Sequence, residues 1–286
     1  MVYERSQERV RHEYYDLIGR WNTPIAHMGS LSATEELLEM CQIETASTVL
    51  EVGCGTGLTA CNIGKKYKCH VVGVDYSEEM ISRAKKRAQK ENVEDTVEFR
   101  VANVFQLPFD DGIFDVAFFE SLLNILVGDK QKALNEISRV VQPGGRIGAN
   151  EVYRASSTPA ELLKRIQEAL EDLPLGPGGN LGRFSPEEWK KCFEASGLQQ
   201  IQMVEKQATK TPVSAKDMLK TFGIIGFISF ALKTTHDLIT SPQLRMATKS
   251  GIAVRKMMHR DKNTRKYFGY LLIVGQNRMR NAAQKV

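Results

Sequence analysis

The chain has 286 residues, enough for one large domain with an insertion or a cap and too few for two large domains. Its 42% hydrophobic and 26% charged residues belong to a globular chain that buries a substantial core, which excludes a disordered or fibrous protein. The net charge of +5 hides an asymmetry: residues 201–286 hold 16 Lys and Arg against four Asp and Glu, residues 1–200 hold 23 against 30, and the basic end needs a local reason.

Residues 6–21 are expected to form an amphipathic helix with Tyr14, Tyr15, Leu17, Ile18 and Trp21 available to a buried face. The first residues, MVYERSQERVRHEYYD, are charged and lack the apolar centre of a signal peptide, so export is not expected. Cys41, Cys54, Cys61, Cys69 and Cys192 are odd in number and form no CxxC pair; disulfides and a zinc site are not expected, and the setting is a reducing cytoplasm. Ser32 with Glu35 forms a capping-box pattern that opens a helix running to about Cys41.

From residue 48 short apolar runs alternate with helical stretches. Strands are predicted at 48–52, 69–74, 97–101, 114–119 and 146–152, with helices at about 57–66, 77–91 and 129–141, the last stopped by PGG at 143–145. Such alternation with near-continuous apolar strands implies a parallel sheet covered on both faces. A helix at 158–171 and a Pro/Gly loop at 173–179 follow. Ser185, Pro186 and Glu188 start a further helix that ends at Gly197. Strands come next at 198–205 and 267–276. The roughly 60 residues between them are too many for a structureless loop, and 214–240 and 242–259 have helical composition. The expected organisation is a helical cap over 1–44, a core of 45–206 and 267–286, and an inserted helical lid over 207–266.

Gly53-Cys54-Gly55-Thr56-Gly57, between the first strand and a helix, gives a turn with bare backbone facing a helix N-terminus. A dinucleotide site would carry G-x-G-x-x-G, but Leu58 stands after Gly57, and the Lys of a P-loop is missing. Asp75 ends the second strand, where a carboxylate either accepts hydrogen bonds from a ribose diol or caps the next helix, a job for which Ser77 competes. Glu51, two residues before the turn, repels a pyrophosphate and attracts an ammonium group. A ligand with a ribose at one end and an amino acid at the other fits, and S-adenosylmethionine is such a ligand.

VLEVGCGTG, VVGVDYSEEMI, VANVFQLPFDDGIFDVAFFESLLN, ALNEISRVVQPGGRI and RFSPEEWKKCFEASGL, in this order over about residues 45–205, resemble the class I S-adenosylmethionine-dependent methyltransferases, notably the small-molecule branch with the ubiquinone/menaquinone and sterol C-methyltransferases. The resemblance implies an α/β, doubly wound, Rossmann-like sheet of seven mostly parallel strands in the order 3-2-1-4-5-7-6, the last antiparallel. It implies that Glu51, Gly53, Gly55 and Gly57, with Cys54 inside the turn, hold the methionine end of the cofactor. Asp75 then binds the ribose hydroxyls, Tyr76 packs on the adenine, and Asn103 with Val104 reads the adenine edge. The family usually has Asp where Asn103 stands. Glu120 and Ser121 match residues close to the sulfonium, and Glu120 reads equally as a helix-start acid.

Methyl transfer is an in-line displacement that depends first on alignment, so the acceptor is hard to read. Tyr14 and Tyr15, in a YYD similar to the family's cofactor-covering N-terminal segment, are candidates for the methyl's surroundings together with Glu120; both tyrosines read equally as core aromatics. His27, His236 and His259 read as surface or structural. No Asn-Pro-Pro-Tyr follows the fourth strand, which lowers the weight of amino methylation of nucleic-acid bases or of protein glutamine. TFGIIGFISFAL at 221–232 is too short to span a bilayer. It suits either a lid helix packed on the domain or, with its basic flanks, a peripheral membrane contact through 214–260. Nucleic acid ranks below both because aromatics are not interleaved with the charge. The expected function is methylation of a small, apolar or amphipathic organic acceptor; the alternatives are a cofactor-binding or regulatory protein without turnover and, further off, an RNA methyltransferase.

Overall fold

The computed structural model describes residues 16, 20, 27–126, 128–171, 183–207, 215–242, 245, 249, 252, 253 and 256–278. The chain enters through helix α1 (Ser30–Cys41) and then alternates β1 (Thr48–Val52), α2 (Leu58–Tyr67), β2 (His70–Asp75), α3 (Glu78–Glu91), β3 (Val97–Val101), β4 (Phe114–Glu120), α4 (Lys130–Val140) and β5 (Val141–Arg154). After α5 (Ala160–Glu171) and α6 (Pro186–Ala195) come β6 (Leu198–Gln207), α7 (Ala215–Thr240) and β7 (Phe268–Asn277).

The seven strands form one sheet in the order β3-β2-β1-β4-β5-β7-β6. β1 to β5 are parallel, and β7 runs antiparallel to both β5 and β6. This is the doubly wound order expected from the family resemblance. Alternate residues of each strand feed opposite cores. Val49, Val71, Val116 and Phe118 pack on the side of α1, α2 and α3 with Leu37, Ile63 and Ala84; Leu50, Val72, Ala117 and Phe119 pack on the side of α4 and α6 with Ile137, Trp189 and Phe193. Burial on both faces is why these strands read as unbroken apolar runs.

Two local readings are corrected. The Ser32–Glu35 capping box does not form. Helix α1 begins at Ser30 behind Gly29, which has φ 86°, and the Ser32 hydroxyl donates to the Gly29 carbonyl at 2.9 Å. A Cβ on Gly29 would lie 2.4 Å from Ala33 Cβ and 2.6 Å from Tyr270 Cζ, so only glycine lets the chain enter here. The second concerns PGG at 143–145: α4 ends at Val140 and the strand begins at once at Val141, paired with Phe114, with the register shifting before Val116 meets Arg146. The PGG is therefore a bulge within β5. The Ser185 capping box, by contrast, is present with both hydrogen bonds.

Most of the expected first helix, with Tyr14 and Tyr15, lies outside the described residues. Asp16 is described, and its carboxylate accepts the Ser77 hydroxyl at 2.5 Å, which brings the N-terminal segment to the end of β2. In the expected lid, α7 is helical on both sides of Gly223, where φ 65° and ψ 177° break the helix. The second helix expected there is described only at scattered positions, and its end, Lys256–Arg260, is a π-helical turn.

Candidate active site

The carboxyl ends of β1, β2, β4 and β5 meet at one edge of the sheet, the position where open α/β sheets hold ligands. Glu51 lies opposite Phe118 on β4, and Glu120 opposite Asn150 on β5. With a period of two, Glu51, Glu120 and Asn150 share the face covered by α1 and α2.

Glu51 is buried, and its Oε2 has no hydrogen-bond partner among the described residues. Burial pushes its carboxyl well above the usual range, the nearby Glu120 and then Asp75 push in the same direction, and the Ala60 amide in the first turn of α2 pulls back. Three carboxylates thus crowd these strand ends, with His27 3.4 Å from Glu120 and no lysine or arginine within ion-pair distance of Glu51 or Asp75 among the described residues. A positively charged ligand relieves all three at once.

The glycine turn differs from the expectation of unobstructed amides. Gly53 and Cys54 N–H donate to Val74 O at 2.8 and 2.9 Å, Gly57 N–H donates to Cys54 O at 2.9 Å, and Gly55 N–H donates to Asp75 Oδ2 at 2.9 Å. With four amides engaged inside the protein, the turn is a poor phosphate cradle and a good close-approach surface. All three glycines have positive φ, but for different neighbours. A Cβ at Gly55 would meet nothing within 4 Å, whereas one at Gly57 would lie 2.6 Å from Phe99 Cζ and 2.8 Å from Ala84 Cβ. Gly57 serves the packing of α2 against the sheet; Gly55 keeps a space open. Burial, then Asp75 and Glu51, hold the Cys54 thiol well above its ordinary range, so it is neutral.

Ser77, not Asp75, caps α3, its hydroxyl accepting Met80 N–H at 3.1 Å. Asp75 Oδ1 instead accepts Ser77 N–H at 3.0 Å. Its carboxyl is raised by burial against the pull of the Ser77, Gly55 and Tyr76 amides. A carboxylate has about four lone-pair sites, so three amides leave one for a diol hydroxyl. Tyr76 is 48% exposed beside it. Asn103 is exposed at the end of β3 and its Oδ1 already accepts Phe105 N–H at 2.9 Å, while Val104 is buried against the α4-side core. The Asn103 amide therefore offers its NH2 outward, where the family's Asp would offer only acceptors.

The structure adds three residues that sequence reasoning missed. Glu120 accepts the Thr34 hydroxyl at 3.1 Å on each oxygen and Asn150 Nδ2 at 3.2 Å, and its Oε2 lies 3.4 Å from His27 Nε2. His27, read as surface or structural, is buried within this cluster. It stands 93 positions from Glu120 and 123 from Asn150 in the chain, so no spacing could pair them. Asn150 was the findable one: it is a polar residue inside the apolar run of the fifth strand, and it pairs with Glu120, the last residue of the fourth. His236 is exposed, and His259 is buried in the π-helical turn Lys256–Arg260. No group of three or more potential metal ligands occurs among the described residues.

Residues 43–211 match a family model described as a methyltransferase domain. An uncharacterised protein of Haemophilus influenzae is 27% identical, over 77% of this chain and 84% of its own length. The O-methyltransferase rstn1 of Aspergillus nomiae is 30% identical, over 57% of this chain and 75% of its own. Among solved structures, the [4+2]-cyclase SpnF superposes with a TM-score of 0.69 at 18% identity, each chain covered to 96%. The geranyl diphosphate C-methyltransferase of Streptomyces coelicolor, solved with Mg2+, geranyl diphosphate and S-adenosyl-L-homocysteine, gives 0.59 at 19% identity, with 86% of this chain and 78% of that one covered. At these identities the structural likeness carries the fold, and the fold hosts more than one reaction. The matched model spans more than half of the chain, on the same strand ends that carry the acids and the glycine turn: the chain belongs to this methyltransferase-domain family, of the class I, S-adenosylmethionine-dependent architecture.

Proposed function

We propose that the chain transfers the methyl group of S-adenosylmethionine to a small, apolar or amphipathic organic acceptor. The observation that carries this reading is the unpartnered, buried Glu51 carboxylate oxygen in a crowd of three acids, which calls for a cationic ligand such as an amino-acid ammonium with a sulfonium beside it. When bound, that cofactor supplies an electrophilic methyl group. Glu51 takes the ammonium, Gly53, Cys54 and Gly55 let the methionine portion lie against bare backbone, and Asp75 accepts a ribose hydroxyl while keeping its backbone amide donors. Tyr76 offers an exposed ring for the adenine, with Asn103 and Val104 at its edge. Glu120 stands on the sulfonium side, and Gly57 acts by packing the turn. The Asp16–Ser77 hydrogen bond supports a covering role for the N-terminal segment, on which Tyr14 and Tyr15 lie. The relative named as an O-methyltransferase and the neighbour named as a geranyl diphosphate C-methyltransferase support the acceptor class.

Calorimetry with S-adenosylmethionine and with NAD, side by side, tests the reading. Binding of the first and none of the second is expected; NAD binding without a response to S-adenosylmethionine ends it. The inserted 207–266 segment forms a lid over the acceptor, and the exposed apolar stripe of α7 supports a peripheral membrane contact by the same segment.

A further inference from the structure

The cluster around Glu120 is built from groups that a packing role alone does not require. His27 Nδ1 lies 3.1 Å from the Met28 carbonyl, an acceptor, and 3.1 Å from Asn150 Nδ2, a donor. Its Nε2 lies 3.3 Å from the Thr34 hydroxyl, which can give or take a hydrogen bond, and 3.4 Å from Glu120 Oε2. The neutral ring and the charged ring therefore both find partners without any side chain moving. A histidine buried only to fill space needs partners for one form. Among the described residues His27 is the one basic side chain within ion-pair distance of Glu120. Asn150, whose NH2 serves Glu120 and Met28, keeps a buried Oδ1 with no partner among the described residues, an acceptor left for an incoming O–H. Among the described residues, Glu51 on β1 and the Cys41 thiol of α1, pushed up to about 12 by burial with Arg146 pulling back, couple to Glu120, and the Tyr270 ring of β7 abuts Gly29.

We propose that His27 is the positioning and proton-holding partner of Glu120, and that the acceptor is protic, a hydroxyl whose proton Glu120 removes as the methyl is transferred. The inference rests on the methyltransferase reading above. The acceptor oxygen forms its bond to the methyl carbon, the carbon–sulfur bond breaks with its electron pair left on sulfur, and the hydroxyl proton passes to Glu120 and is shared with His27 before reaching solvent. A nucleophile with a free lone pair, such as a tertiary amine, has no proton to lose and no use for this pair. Thr34, on α1, and Asn150, on β5, hold the Glu120 carboxylate from two sides, so the base is aimed by the cap as well as by the sheet.

Two measurements test it. Nitrogen-15 histidine spectra of the protein loaded with S-adenosyl-L-homocysteine should show the His27 ring nitrogens hydrogen-bonded, with the Nε2 signal displaced in Glu120→Gln. A Nε2 signal identical in the wild type and in Glu120→Gln overturns the proposal. In the second, labelled S-adenosylmethionine is offered with para-methoxyphenol, para-nitrophenol and N,N-dimethylaniline. Transfer to the phenols and not to the amine is expected. His27→Gln should lower kcat for para-methoxyphenol on the order of 100-fold with the acceptor KM within about threefold, and the loss should shrink for the more acidic para-nitrophenol. Equal losses on both phenols mark a structural residue, and methylation of the amine alone, or of no phenol, removes the protic class. His27→Gln should still bind S-adenosylmethionine by calorimetry; if the wild-type protein binds none, it is the methyltransferase reading that fails.

Discussion

Gly55 and Gly57 stand two apart in one turn with similar backbones, at φ 52° and 76°, yet a methyl group added to each meets different surroundings. At Gly55 it enters open space, so Gly55→Ala costs the fold only the strain of a left-handed alanine, about 1 to 2 kcal/mol, while filling the space that the proposed site gives to the cofactor's methionine portion. At Gly57 it strikes Phe99 and Ala84, and overpacking of about 1 to 3 kcal/mol adds to the same strain. Thermal unfolding and calorimetry on the two variants should therefore dissociate: Gly55→Ala loses most of its S-adenosylmethionine affinity with a modest drop in Tm, and Gly57→Ala loses Tm while its folded fraction binds. The reverse pattern would move the cofactor away from Gly55. The glycine spacing was legible in the sequence, but the division of labour was not, because Phe99 and Ala84 reach the turn from β3 and α3. Glu51 and Asp75 could be placed from the sequence, because one precedes the end of the first strand and the other ends the second.

At the scale of elements, α7 is where composition spoke and packing did not follow the simplest course. Ile224, Ile228 and Leu232, spaced by four, form a stripe that is 73%, 53% and 68% exposed, with Lys233 beside it. No helix among the described residues is long and apolar enough to cross a membrane. An interfacial helix needs only to sink this stripe among acyl chains, where each side chain is worth up to about 1.5 to 3 kcal/mol when fully buried, more than the roughly 1 kcal/mol of a neighbouring basic residue. Ile228→Glu should therefore reduce co-sedimentation with phosphatidylserine vesicles more than added salt does, and leave cofactor binding unchanged. An intact protein that stays in the supernatant at low salt would sink the membrane contact. The elements misread from sequence share one cause. The pattern at Ser32 and the PGG before β5 are local signals, and each was overridden by a tertiary neighbour: Tyr270 crowding Gly29, and β4 pairing on both sides of the bulge.

Over the whole molecule the strand and helix alternation was readable because every central strand is buried on both faces, and the strand order came from the family resemblance, since no pattern in β7 says that it inserts between β5 and β6. A pH dependence belongs to this scale as well. Glu151 is fully buried on β5 and accepts Leu123 N–H at 2.7 Å, Asn124 N–H at 3.2 Å and Asn124 Nδ2 at 2.5 Å, tying the segment after Glu120 to the neighbouring strand. Burial raises its carboxyl from 4.5 to about 7, against the pull of those three donors. A raised value means that the folded protein holds a proton where the unfolded chain has lost it. Its contribution is complete below the unfolded value, declines as pH rises through the interval, and is gone above about 7, a total of about 3 kcal/mol. Glu151→Gln removes the titration and keeps the shape, and Asn124 Oδ1, buried with no partner among the described residues, can turn to accept the new amide. Urea unfolding should accordingly show wild-type stability falling from about pH 5 to about pH 7 and a flatter course in the variant, with Glu51 and Asp75, both raised by burial, contributing to the slope that remains. Parallel curves for the two proteins would show that Glu151 keeps its charge on folding, with the three N–H donors outweighing burial.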